Sequence, residues 1–296
     1  MRRVRGVGLQ FNPTILREIG LASFKDAPID FAELLCDMFA APLDCGYVLD
    51  PAMRPALEQL GAEYPLLAHG NYGGEFGFQP LRECAGVKRH AEIAREMQSP
   101  WYADHMFYGE HAHSYMWSSP LQFSRAEVER VAGRAAALQD LLGMPLLHEN
   151  AFYYAPFPGA DISEAEFMAE LSTRAGTMLL LDLHNIHANS VNFPDFDPWR
   201  YLRTIPLDRV VEIHLAGGQQ LEGFYHDLHN HSIPEGVWKM LEHVLERAPR
   251  LEAVTLEFQG LTHTAGSRPV DGSWVPMIAA DLDRARALWD AKRGRA

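Results

Sequence analysis

Short apolar runs rich in β-formers recur at intervals of roughly 30 to 45 residues, each followed by a longer stretch with apolar positions at helical spacing. The runs are Val7–Phe11, Phe31–Asp37, Pro65–His69, Trp101–Phe107, Pro145–Ala151, Met178–Leu183, Val210–Ala216 and Ala253–Phe258. Between them, Val128, Val131, Ala135, Leu138 and Leu142 mark one face of a helix over Ser124–Leu142, with Ser124 as N-cap and Glu127 at the capping-box position. Ser163-Glu164-Ala165-Glu166 opens a second helix through Leu171. Ser232 with Pro234 and Glu235 starts another through Val237, Leu241 and Leu245, and Pro276–Trp289 forms the last. Strands alternating with helices in this way predict an α/β protein, a (β/α)8 TIM barrel. No linker or charge run interrupts the series, so residues 1–296 read as one TIM-barrel domain.

Composition fits that picture: 47% of the 296 residues are apolar and 22% charged, enough to bury a sizeable core. The longest apolar run, Thr177 to Leu183, breaks at Asp182, so no membrane span is expected. Met1-Arg2-Arg3 leads into Gly6 and Pro13 rather than an apolar stretch, which argues against a signal peptide and for a cytoplasmic protein. Cys36, Cys45 and Cys84 have neither zinc-knuckle nor disulfide-framework spacing, so reduced thiols are expected. The net charge of −13 repels polyanions and argues against nucleic acid or an anionic membrane as partner.

In a parallel barrel all strands open on one face, so the residues ending each strand decide the chemistry. His69 ends the third run, Asp104-His105 falls late in the fourth, and Glu149-Asn150 ends the fifth. Asp182-Leu183-His184-Asn185-Ile186-His187 ends the sixth, Glu212-Ile213-His214 falls in the seventh, His226-Asp227-Leu228-His229-Asn230-His231 follows in a loop, and Glu257 ends the eighth. A single His or acid at a strand end is more often a hydrogen-bonded surface group than a ligand. Carboxylates gathered from so many strands at one mouth repel one another unless cations neutralise them, and this favours metal. The donors are nitrogen and oxygen, without thiolate, which suits iron, zinc or manganese. Asp182-x-x-Asn185 would place two ligating groups on the turn after strand six. Asp227-x-His229, taken as extended, would place two on one side of the chain.

These residues resemble the multinuclear non-heme iron-dependent oxidative enzymes. The resemblance rests on Ala68-His69-Gly70, Asp104-His105, Leu147-His148-Glu149-Asn150, Leu180-Leu181-Asp182-x-x-Asn185, Glu212-Ile213-His214-Leu215-Ala216-Gly217 and Asp227-x-His229. The branch that makes thiaglutamate-type peptide products looks nearest, through Asn185-x-His187-x-Asn189 and Asp227-x-His229-x-His231-x-x-Pro234. The resemblance implies a TIM barrel with two or three irons and O2 as co-substrate, and we expect the irons in mixed Fe(II)/Fe(III) states. The substrate would be a residue, often cysteine, of a ribosomally synthesised precursor peptide, and a small separate protein would recognise the leader. Carried over, one metal falls to His69, His105 and Glu149. Glu149 bridges to a second held by Asp182, His214 and Glu257, and Asn185, Asp227 and His229 take a third. His184, His187 and His231 are left to orient ligands or shuttle protons, or simply to line a wet mouth.

The sequence departs from the family pattern at Asp104, where Glu is usual, at His148, where an apolar residue is usual, and at Phe258-Gln259, where charge is common. The first bears on the support of the ligands, the others on the substrate side. Tyr72, Phe76, Tyr108, Tyr115, Trp117, Phe152, Tyr153 and Tyr154 could line the mouth for a peptide or simply pack its loops. Gly73-Gly74 and Gly217-Gly218 lack the lysine of a phosphate loop and read as flexible turns. Two alternatives stand beside the oxidase: a divalent-metal hydrolase, phosphodiesterase or isomerase of the xylose-isomerase-like barrel class, and a non-catalytic peptide-binding barrel.

Overall fold

A computed structural model describes residues 3–43, 46–70, 76–78, 80–83, 85–108, 121–156, 158–260 and 269–294. Each expected run forms a strand: β1 Gly6–Phe11, β2 Phe31–Leu35, β3 Leu66–Gly70, β4 Tyr102–His105, β5 Leu146–Glu149, β6 Met178–Asp182, β7 Val210–Leu215 and β8 Ala253–Leu256. All pair in parallel with their sequence neighbours, and β1 pairs with β8 to close the barrel. Around it stand α1 Arg54–Glu63, α2 Ala85–Glu96, α3 Arg125–Leu142, α4 Glu164–Ala175, α5 Leu183–Asn192, α6 Pro198–Thr204, α7 Glu235–Leu245 and α8 Val275–Arg293. A hairpin of Gln219–Leu221 with Phe224–His226 follows β7. Among the described residues no helix is long and apolar enough to cross a membrane.

The period-two alternation of a strand sorts the lumen from the outer wall. Phe31, Leu67, Ala103, Leu147, Leu180 and Ala253 form one buried cluster with Val4 and Trp101, plugging the lower lumen. Two residues further along the same strands stand Glu33, His69, His105, Glu149, Asp182 and Thr255. The plug depends on Gly8, where a Cβ would come within 2.3 Å of the Phe31 ring. Only glycine lets that ring cross the lumen.

The opposite faces pack on the helices. His148 belongs there, which corrects its expected place on the substrate side: Nε2 lies 2.8 Å from Thr177 Oγ1 and the ring meets Phe76 edge-on. Burial pushes its pKa down to about 3, so it is neutral. Asp104 also faces outward, accepting from the Tyr102 hydroxyl at 3.1 Å and the His105 N–H at 2.7 Å.

The helix-start signals differ in what they produce. Ser163 and Glu166 make a full capping box. Ser124 caps α3 through the Glu127 N–H at 3.2 Å, but the Glu127 carboxylate turns to Arg130 and the Tyr108 hydroxyl instead of completing the box. Ser232 is not a cap. Pro234 occupies that position with extended backbone, and α7 begins at Glu235. Cys36 is buried, while Cys45 and Cys84 lie outside the described residues.

Glu164, in the first turn of α4, is buried and accepts the Ala151 N–H at 2.9 Å through one oxygen. Burial lifts its pKa from 4.5 to about 8, so the folded chain keeps a proton that the unfolded chain releases. The folded state binds more protons across that window, so stability falls as pH rises from about 4.5 to about 8. Glu164→Gln should remove this slope, raising the urea midpoint at pH 8 by the equivalent of a few kcal/mol at most, roughly, and much less at pH 5. Parallel pH profiles for the two proteins would contradict it.

Candidate metal centre

Among the described residues, ten buried or half-buried side chains above the plug form clusters of potential ligands: Glu33, His69, His105, Glu149, Asp182, His184, His214, Asp227, His229 and Glu257. Glu149, at the end of β5, stands at the middle and divides its two oxygens. Oε2 lies 2.8 Å from His69 Nε2 and 3.1 Å from His105 Nε2. Oε1 lies on the other side, 3.4 Å from His214 Nδ1, which is itself 3.2 Å from Glu257 Oε2. Asp182 joins this second group. One of its oxygens also accepts the Asn185 N–H at 2.7 Å, capping α5, so Asp182 ends the strand and starts the helix at once.

A third group stands nearer the rim. His229 Nε2 lies 2.7 Å and His184 Nδ1 2.9 Å from Asp227 Oδ1. Asp227 and His229 do not meet across extended chain, as the spacing suggested. His229 is left-handed, at φ 47°, which costs a side-chain-bearing residue about 1–2 kcal/mol. Its carbonyl accepts the N–H groups of Gln259 and Gly260 at 3.0 and 3.1 Å, pinning the turn beside β8. Asn185 is buried alongside; its amide donates to the Asn150 carbonyl at 3.0 Å, and its Oδ1 has no hydrogen-bond partner. His187 and His231 stand outside these groups. His187 is half-buried against Tyr225, and His231 is exposed with Nδ1 2.7 Å from Asn230 Oδ1.

Beneath the ligands runs a polar layer that the sequence reading missed. Glu33 Oε2 lies 3.0 Å from His214 Nε2, and the Gln10 amide donates to Glu33 at 2.7 Å and to Glu257 at 2.5 Å. The Thr255 hydroxyl stands 3.1 Å from Glu33 and 2.8 Å from Glu212, which also accepts from the Trp101 indole at 2.7 Å. The available signal was a lone carboxylate in the otherwise apolar Phe31-Ala32-Glu33-Leu34-Leu35.

The buried groups shift one another's pKa values strongly. Burial, with the negative fields of Glu149, Glu257 and Asp227, holds Asp182 well above the usual carboxylate range. Burial and Glu33 do the same to Glu212. Against their own burial, His214 is raised well above its usual value by Glu257, Glu33 and Glu149, and His229 is raised to about 10 by Asp227 and Glu257. His105 goes the other way, its pKa lowered by burial.

Of the aromatic residues named for the mouth, Tyr72, Tyr115 and Trp117 lie outside the described residues, as do Gly73 and Gly74. Phe76, Phe152 and Tyr153 are buried, Tyr108 stacks on Phe78, and Tyr154 is 47% exposed, stacked on Phe224 beside His226. Gly217 and Gly218 are close-approach positions rather than flexible turns. A Cβ would come within 2.1 Å of the His231 carbonyl oxygen at the first and 2.2 Å of the His226 carbonyl oxygen at the second.

Known proteins place this arrangement. The chain is 30% identical over 299 residues to a UPF0276 protein of Caulobacter vibrioides, covering 97% of this chain and 95% of that one. It is 34% identical to a UPF0276 protein of Chromobacterium violaceum over 64% of this chain and 69% of the relative. Its fold matches endonuclease IV from Thermus thermophilus (TM-score 0.57, 19% identity, 97% and 99% of the two chains). It also matches a putative xylose isomerase from Rhodospirillum rubrum (TM-score 0.59, 15% identity, 96% and 99%). The architecture is therefore the xylose-isomerase-like TIM barrel. Residues 6–262 match the family model of the RiPP precursor modification enzymes MbnB/TglH/ChrH, and the chain belongs to that family, the multinuclear oxidative family its motifs resemble.

Proposed function

We propose that the chain uses two or three iron ions and O2 to oxidise a residue, often cysteine, of a ribosomally synthesised precursor peptide. The observation that carries this reading is a set of buried donor atoms without hydrogen-bond partners: Glu149 Oε1, His184 Nδ1, Asn185 Oδ1, His214 Nδ1, Asp227 Oδ1 and both ring nitrogens of His229. Each unpaired buried polar atom costs about 1–3 kcal/mol, so a fold does not gather so many in one pocket without another partner for them. Cations are that partner. His69, His105 and Glu149 would hold one ion. Glu149, Asp182, His214 and Glu257 would hold a second, with Glu149 shared between them. Asn185, Asp227 and His229 would hold a third. Ferrous iron supplies the single electrons that triplet dioxygen needs before it attacks a closed-shell peptide, and ferric iron supplies a Lewis acid for a thiolate or amide oxygen.

The chain's own residues set the ligands. With a cation bound, Glu33 would accept the His214 Nε2 proton across 3.0 Å, leaving the Nδ1 lone pair on the side of Glu149 and Glu257. The Gly70 carbonyl does the same for His69, accepting Nδ1–H at 2.6 Å and leaving Nε2 toward Glu149. Gly70 must be glycine, because a Cβ would collide with the Tyr102 hydroxyl. Tyr154, Phe224 and His226 offer an aromatic rim for the peptide, and His187 and His231 are the imidazoles left to move protons. Leader recognition falls to a separate small protein.

Iron-reconstituted protein, mixed with the short peptides encoded beside its gene, should change a peptide's mass in air and not under nitrogen. Equal change without oxygen, or phosphoester hydrolysis by a colourless zinc form, would overturn the reading. Glu149→Gln should remove both inner ions by elemental analysis and abolish the mass change. Glu33→Gln should weaken inner-site metal affinity about 10–100-fold, whereas Glu212→Gln, at a carboxyl that burial and Glu33 push toward its neutral form, should leave it unchanged. Equal effects of the two substitutions would contradict the orienting role of Glu33.

A further inference from the structure

We propose that His184 supplies a second imidazole to the outermost ion and that Tyr225 is the residue that positions it. The inference rests on the metal reading above and adds to it a ligand and an orienting group that the family motif does not name. His184 occupies the first turn of α5, beside Asn185, and is fully buried. Its Nδ1 stands 2.9 Å from Asp227 Oδ1, and His229 Nε2 stands 2.7 Å from the same oxygen. Neither pair has hydrogen-bond geometry, and all three atoms are buried without a hydrogen-bond partner. Three converging lone-pair donors are the arrangement a divalent first-row transition ion takes, and two imidazoles with one carboxylate suit ferrous iron.

The far side of the ring is also fixed. His184 Nε2 lies 3.2 Å from the Tyr225 oxygen, which already accepts the Gly218 N–H at 2.9 Å. With Nε2–H donated to that oxygen, Nδ1 keeps its lone pair for the ion. Tyr225 is held in turn by Asn192, whose amide donates to the Tyr225 carbonyl and whose oxygen accepts the Tyr225 N–H, both at 2.8 Å. Gly218 completes the fit, since a Cβ there would lie 2.9 Å from the Tyr225 ring and 3.1 Å from His184 Nε2. The hairpin after β7 thus clamps a ligand that belongs to the helix after β6.

The test is anaerobic Fe(II) titration of the full chain, with bound iron counted by elemental analysis after desalting. His184→Asn should lower the affinity of the weakest-held ion about 10–100-fold and lose close to one ion per chain, with the other ions unchanged. Tyr225→Phe keeps the ring and should weaken the same ion by about tenfold while the other ions keep wild-type affinity. If His184→Asn does not fold, Tyr225→Phe decides. Wild-type affinities in both variants, or uniform weakening of every ion, would overturn the inference while leaving the metal reading intact. A wild-type chain that binds no iron stoichiometrically would sink the metal reading itself.

Discussion

The structure turns on the cost of concentrating like charge in a dry place. Glu33, Glu149, Asp182, Asp227 and Glu257 converge above an apolar plug, where low dielectric magnifies every repulsion between them. Two responses are visible. Imidazoles are interleaved with the carboxylates, and Asp182 is driven toward its neutral form. Both lower the repulsion and a bound cation would lower it further, which is why the pocket reads as a metal centre before any chemistry is considered.

Much of this was legible from residue order, because a parallel barrel converts strand ends into neighbours. His69, His105, Glu149, Asp182 and His214 lie at or next to the ends of apolar runs, and that was enough to gather them. What stayed hidden depends on closure. Gln10 meets Glu257 across 247 positions only because β1 pairs with β8, and Glu33 finds His214 across the lumen. The turn at His229 was hidden for a different reason: a left-handed residue other than glycine leaves no mark in the sequence. His148 was misplaced because the strand end drew attention from the alternation that turns it outward.

The same barrel serves endonuclease IV and a putative xylose isomerase, so the fold by itself selects no reaction. What distinguishes this chain is what stands on the staves. A carboxylate that faces two ways holds the inner groups together, two acids shifted in opposite directions share the floor beneath it, and a hairpin reaches back over the preceding stave's helix. The inner groups are borne by the barrel itself. The outer group is borne by a helix start and a pinned loop, elements that can vary without disturbing the staves.

The two-residue step from plug to ligand on each stave also limits how such a chain can diverge. Deleting one residue within Phe31–Glu33, Leu67–His69 or Leu147–Glu149 would exchange lumen for outer wall and carry a donor out among the helices. Length change is therefore confined to the segments that join staves to helices. Lineages built on this plan are free to remodel what they grasp while the reactive heart stays locked in register.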